Sequence, residues 1–416
     1  MTAYIAPKFT KQIVDENMGF LRCSTAWPAS TAVRGYFLAV VLSIFQPRSA
    51  RGDEGVGYKF QSWQEEHDRI RVDSHYVLAE KDIDPNTKLK AMGLIDSIAG
   101  ATPTGETPRT PDGPSPVAQM KDVRRACSVD LSRQFNRLNV DAAYAVSRES
   151  DYLSKGWSIN TTTDFNQRNT GLLVGYGRMD DTIKEPKLGW SVDRYKTGDD
   201  FIVGVKQLVN ADTAGTLNVS YGQMRGFLSD PYKIVSTTKL DLDPGFYYTP
   251  PENRPREKDK LSVALALNRN FKKLNGALDA SYRYYRDTFG IRSNTINVTW
   301  IQEWGERFII QPSIRLSRQS AADFYHHDLD AAGVVTTFDP VLGETGTGRA
   351  PFYSSDYRVS KMQTIDVGLK LVWKMKPWLW MDVACNRYAA RGLDRVTPGD
   401  VYGEANNFTV GLKFFR

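Results

Sequence analysis

Few residues in this chain are suited to chemistry by type and spacing. Asp323, His326, His327 and Asp328 stand close together, and imidazole with carboxylate is a donor set for zinc or copper. Neighbouring histidines point apart on an extended chain, so the simpler reading is a solvated loop without a metal. The other two histidines, His67 and His75, lie far off in sequence. No serine, cysteine or aspartate has a base and an orienting group in recognisable spacing. The expectation is no catalytic residue, no cofactor and no enzyme. A Gly/Thr/Pro-rich stretch containing Asp96, Gly100, Thr102, Pro103 and Gly105 could close its backbone over a ligand or simply form a rigid loop. No GxxxxGK[ST] is present, so it is not a phosphate cradle. Asp279, Arg283, Arg315, Asp366, Lys370 and Arg387 place charge at intervals suited to one face of a strand. On such a face they would pair with one another or bind an anionic solute.

Those charges need elements to hold them, and the pattern that does so has period two. In Thr364–Lys374, Ile365, Val367, Leu369, Leu371 and Trp373 form one face. Thr364, Asp366, Gly368, Lys370 and Lys374 form the other, broken by Val372. Successive strand side chains point to opposite faces, so the segment is apolar on one side and polar on the other. Residues 216–222, 279–285, 295–300 and 407–414 repeat the pattern. Alternation over about ten residues marks a membrane-spanning barrel strand. Short connections (135–138, 166–169, 210–213, 271–275, 304–306, 376–377) alternate with long ones (98–120, 181–198, 226–258, 321–358, 391–403). A soluble sandwich has no reason to do this, whereas outer-membrane barrels have short periplasmic turns and long outer loops. The predicted fold is an antiparallel up-and-down transmembrane β-barrel of sixteen strands, with fourteen as the alternative. The strands are expected near 58–66, 69–82, 87–97, 121–134, 138–148, 153–165, 170–180, 199–209, 214–225, 259–271, 275–287, 291–303, 307–320, 360–374, 378–390 and 404–416.

Composition agrees. Aromatics make up 12% of the residues, enough for girdles at two membrane interfaces. The net charge of +6 is spread along the chain without a dense basic run interleaved with aromatics, so nucleic acid is not an expected partner. Cys23, Cys127 and Cys385 show no disulfide framework or CxxC, and free thiols are expected. Residues 36–45 form an apolar run after Arg34, followed by Ala50-Arg51-Gly52, an order suited to a cleaved secretory signal. Residues 1–52 are therefore read as an export signal, either unusually long or started too early, with Met18 as another start. Residues 53–416 form the barrel, destined for a bacterial outer membrane and its lipid. Phe408, Phe414 and Phe415 give the last strand the aromatic ending that barrel-assembly machinery reads.

Several segments resemble a bacterial family, domain of unknown function 3570. They are Asp96–Gly105 (DSIAGATPTG, with Ala99 where the family usually has Ser), Ser229–Tyr232 (SDPY), Glu252–Pro255 (ENRP), Tyr282–Asp287 (YRYYRD) running into Gly290-Ile291, Gln319–Tyr325 (QSAADFY) and Ser355–Ser360 (SDYRVS). The resemblance implies an outer-membrane barrel. It brings no activity or catalytic residue. Members often stand beside small lipoproteins, thioredoxin-like proteins and a flavin-attaching enzyme, which implies an envelope redox setting. Two functions follow as expectations: a pore or transport channel with a charged lumen for a small solute, or a scaffold that binds an envelope redox partner.

Overall fold

A computed structural model describes residues 54–108, 110, 113–187, 190–236, 250–334 and 352–415. The expected export signal, residues 1–52, lies outside the described residues. Sixteen strands follow one another: β1 (Gly55–Glu65), β2 (Arg71–Asp84), β3 (Thr87–Pro103), β4 (Val117–Phe135), β5 (Leu138–Arg148), β6 (Tyr152–Phe165), β7 (Thr170–Lys187), β8 (Trp190–Asn210), β9 (Thr213–Gly226), β10 (Glu257–Phe271), β11 (Gly276–Asp287), β12 (Arg292–Trp304), β13 (Phe308–Gln319), β14 (Met362–Lys376), β15 (Leu379–Gly392) and β16 (Glu404–Phe415). Each pairs antiparallel with its neighbour, and β1 pairs with β16, so the sheet closes as a barrel. That seam runs in register from Gly55↔Phe415 to Glu65↔Ala405.

The period-two pattern decides which side faces out. On β14, Ile365, Val367, Leu369, Leu371 and Trp373 are all exposed, while Thr364, Asp366 and Lys370 between them are less so. Large apolar side chains left outside a closed barrel make sense against lipid, which needs no polar partner. The band from Ile365 to Trp373 runs roughly 26 Å along the strand, or about 20 Å of height at a tilt near 40°. Aromatic pairs edge it at the short-turn rim: Phe271–Trp300 at 5.6 Å, Phe308–Trp373 at 6.1 Å and Trp378–Phe414 at 6.5 Å. Toward the other rim Tyr176 lies between Trp157 and Phe201, at 5.3 and 4.9 Å. Just beyond, the same outer face turns ionic, with Arg178 paired to Asp180 at 3.1 Å and to Asp199 at 3.2 Å. Cys127 and Cys385 are free and exposed on this outer face.

The short turns use residues that tolerate left-handed backbone. Asn136, Asn166 and Asn275 have φ of 49°, 47° and 48°. The long connections depart from expectation in two places. Residues 181–187 and 190–198 are strand rather than loop, because β7 and β8 continue as a paired hairpin to Lys187↔Trp190. Residues 98–103 and 117–120 likewise extend β3 and β4. The stretch read as a mouth loop is therefore mostly strand: Asp96, Gly100, Thr102 and Pro103 belong to β3, and only Gly105 lies beyond it.

Candidate functional site

Register places all five lumen candidates on the face opposite the apolar band. Asp279 pairs with Thr299, Arg283 with Thr295, and Arg315 with Asp366, while Lys370 stands two positions along that face and lies opposite Gln311. Asn386 Nδ2 donates to Asp366 Oδ1 at 2.8 Å, and Lys370 is 4.0 Å from Asp382. Arg387 is a correction. It pairs with Val367 and shares the outer face with Cys385, where it bonds Glu66 and Glu404 at the long-loop rim. One position of strand register separates lumen from lipid, and Arg387 falls on the other side of it.

At the long-loop rim the connections fold over one another. Ile234 N donates to Thr104 O at 3.1 Å, and Lys233 Nζ donates to Pro103 O. Asn253 and Tyr353 exchange two backbone hydrogen bonds, at 2.9 and 2.8 Å. Ser115 bonds Asp400 through its N and Oγ, at 2.7 and 2.8 Å, and Tyr325 Oη lies 2.6 Å from Thr397 Oγ1. The connections after β3, β9 and β13 spring from points six, four and six strands apart around the ring. A sixteen-strand barrel is about 30 Å across. Loops so placed meet only by reaching over the mouth, so they form a cap.

The cap has its own small cores. Phe289, Ile291, Ala322, Phe324 and Val359 pack together, as do Val235, Leu329 and Tyr353. Between them runs a network of three acids and three bases. Arg254 reaches Glu252 Oε1 and Asp356 Oδ2, each at 2.7 Å. Arg358 Nε donates to both oxygens of Asp356 at 2.9 Å, and its Nη2 pairs with Asp230. Ser354 Oγ donates to Glu252 Oε2. Asp356 is 1% exposed, Lys233 3% and Glu252 4%. Burial opposes ionisation of Asp356, but Arg358, Arg254 and Lys233 outweigh it and hold the carboxyl well below the usual range. Burial pushes Glu252 up despite Arg254, and pushes Lys233 down despite Asp356.

Asp323, His326, His327 and Asp328 do not bring three ligand atoms to one point. Asp323 lies against Gly290, His326 N donates to Ser354 O at 2.9 Å, and Asp328 caps the helical turn Leu329–Ala332. Burial lowers both histidines. His327 joins Pro103, Gly105, Lys233, Ser355 and Asp356 around a pocket of about 10 Å³, room for one water rather than a solute.

Five of the six residues of the ion network lie in segments quoted above, Asp230 in SDPY, Glu252 and Arg254 in ENRP, Asp356 and Arg358 in SDYRVS, and Lys233 follows SDPY directly. Their pairing across more than a hundred residues was invisible in the sequence; only their family resemblance singled them out. Gly100 (φ 123°) and Gly105 (φ 102°) show why glycine stands at two of these positions. A Cβ on Gly105 would sit 2.4 Å from Ser355 Oγ and 2.6 Å from Ile234 O. Gly105→Val is expected to strain the cap by about 1–3 kcal/mol. Limited proteolysis of the refolded protein checks this: cleavage within residues 227–256 or 320–361 should be faster, with the barrel itself intact.

No curated protein matches the sequence. Solved structures share the barrel at low identity. A bacterial polysaccharide outer-membrane secretin is 9% identical, covering 88% of this chain and all of that one, with a TM-score of 0.45. OpdK of Pseudomonas aeruginosa, solved with vanillate, is 8% identical, covering 87% and 98%, with a TM-score of 0.40. The siderophore receptor PirA of Acinetobacter baumannii is 9% identical with a TM-score of 0.41; the match covers 83% of this chain and only 54% of that longer one. These are likenesses of fold. The family described as Protein of unknown function (DUF3570) matches residues 30–197 and 186–414, nearly the whole of the sequence, and the chain belongs to that family.

Proposed function

We propose that this barrel is an outer-membrane channel for a small charged solute, closed at its long-loop mouth until the cap moves. The observation that carries the reading is the pairing of a charged inner face with a cap that has its own cores and a latch, the ion network of Asp230, Lys233, Glu252, Arg254, Asp356 and Arg358. Loops serving only as surface connections have no need of buried ion pairs, whose desolvation is costly. In this reading the long loops face outward, both ends of the barrel lie in the periplasm, and an export signal brings the chain there. Assembly machinery then reads the last strand, and lipid covers the apolar band.

Planar-bilayer recording of the refolded protein tests this. Wild type is expected to show rare, small openings. A variant lacking the cap segments 227–256 and 320–361 is expected to show steady stepwise currents that lean toward anions, because Arg283, Arg315 and Lys370 line the wall. A folded, cap-deleted barrel that carries no current would sink the channel reading. Recovery of a bound envelope protein from detergent-solubilised membranes would then favour the scaffold for a redox partner.

A further inference from the structure

A second cluster lies apart from the latch, where β4, β5 and β6 reach the long-loop rim. Asp122 is an inward residue of β4, opposite Ile98 of β3. Glu149 and Asp151 flank Ser150 in the connection between β5 and β6. An oxygen from each of the three carboxylates lies within 4.8 Å of the others. Asp122 is 2% exposed and Glu149 7%. Two of the three are engaged: Ser150 Oγ donates to Asp122 Oδ2 at 3.2 Å, and Tyr232 Oη donates to Asp151. Glu149 is different. Among the described residues its side chain accepts no hydrogen bond, and its Oε2 is closed off from solvent.

A buried carboxylate without a donor is costly unless something of opposite charge meets it. The protein supplies little. Arg124, the cation alongside, is already paired with Asp96 one step down the wall. Asp122, Asp151 and Asp96 are the negative charges around Glu149, with Arg124 the cation among them. We infer that Asp122, Glu149 and Asp151 form a binding site for a divalent cation, and that the ion is Ca²⁺. The donor set favours it: three carboxylates, each able to bind through one oxygen or both, suit the irregular, oxygen-rich shell of Ca²⁺ better than the strict octahedron that Mg²⁺ demands.

The site also touches the cap. Tyr232, which holds Asp151, is the neighbour of Lys233 and lies two residues from Asp230, both members of the latch. An ion here fixes the anchor from which the loop 227–236 reaches over the mouth. The inference stands whether or not the barrel conducts.

Terbium luminescence on the refolded barrel in detergent free of lipopolysaccharide tests it. Tyr232 and Tyr152 are placed to sensitise the ion. Saturable emission is expected with half-saturation on the order of 10⁻⁵–10⁻³ M, displaced by Ca²⁺ at lower concentration than by Mg²⁺. Glu149→Gln and Asp122→Asn, each checked for folding by heat-modifiable migration, are expected to weaken binding at least about tenfold. Calcium should also raise the thermal transition of wild type, because an ion that binds only the folded state stabilises it, and should not raise that of Glu149→Gln. Absence of binding in folded wild type overturns the inference. So does binding that both variants leave unchanged, which would put the ion elsewhere.

Discussion

Asp356→Ala is expected to unlatch the mouth, weakening the cap by about 3–5 kcal/mol while the barrel remains folded. Asp356 is buried and takes bonds from both Arg254 and Arg358. Without it, two guanidiniums and the Lys233 ammonium face one another with only Asp230 and Glu252 to balance them. In recordings the variant should open far more often than wild type at neutral pH, and proteases should cut its loops faster. Arg358→Ala should do less, because that side chain is 45% exposed and water takes over part of its role. Acid distinguishes the wild type further. A carboxylate held below its ordinary value contributes stability that is present above the unfolded value near 4, and that is lost only as pH falls through the lower folded value. The Asp356 contribution should therefore survive to pH values at which ordinary surface carboxylates are half protonated. Equal opening and equal proteolysis in wild type and Asp356→Ala would show that the network does not hold the cap.

The other large effect is in the wall. Leu369→Arg, in the middle of the exposed band of β14, is expected to cost about 2–4 kcal/mol against lipid. The neighbouring change Lys370→Ser, one position away on the opposite face, should cost little and should shift ion selectivity instead. Urea unfolding in lipid vesicles reads the first, and reversal potential reads the second. Equal destabilisation by the two changes would mean that the faces have been assigned wrongly.

The barrel was legible because lipid enforces a rule at every second residue. Ile365 through Trp373 cannot turn polar without leaving the membrane, so strand count and facing follow from the pattern. The rule lapses above the membrane. Asp180, Asp181, Lys184, Arg194 and Lys196 put charge along β7 and β8 where both faces can be wet, so a hairpin reads as a loop. Arg387 was misplaced for the same reason: at the rim, an outward arginine finds Glu66 and Glu404 rather than hydrocarbon. The cap was illegible as geometry. Arg254 and Asp356 stand 102 residues apart, and no periodicity connects them. Asp122 and Glu149 gave no signal either, since carboxylates near strand ends are common and only their shared burial sets these apart.

The seam between β1 and β16 has a consequence for how the molecule is made. Every other pairing joins strands adjacent in sequence, and those can zip as hairpins while the chain is still emerging. The seam alone joins partners 340–360 residues apart. A chain whose β16 has not yet paired with β1 would be an open curved sheet with two unpaired edges and an apolar flank, a form given to sticking to other chains. Closure is therefore expected to come late in folding, because it brings together the strands farthest apart in sequence. A chain truncated within its final twelve residues would be a hazard in transit rather than a slightly shortened barrel.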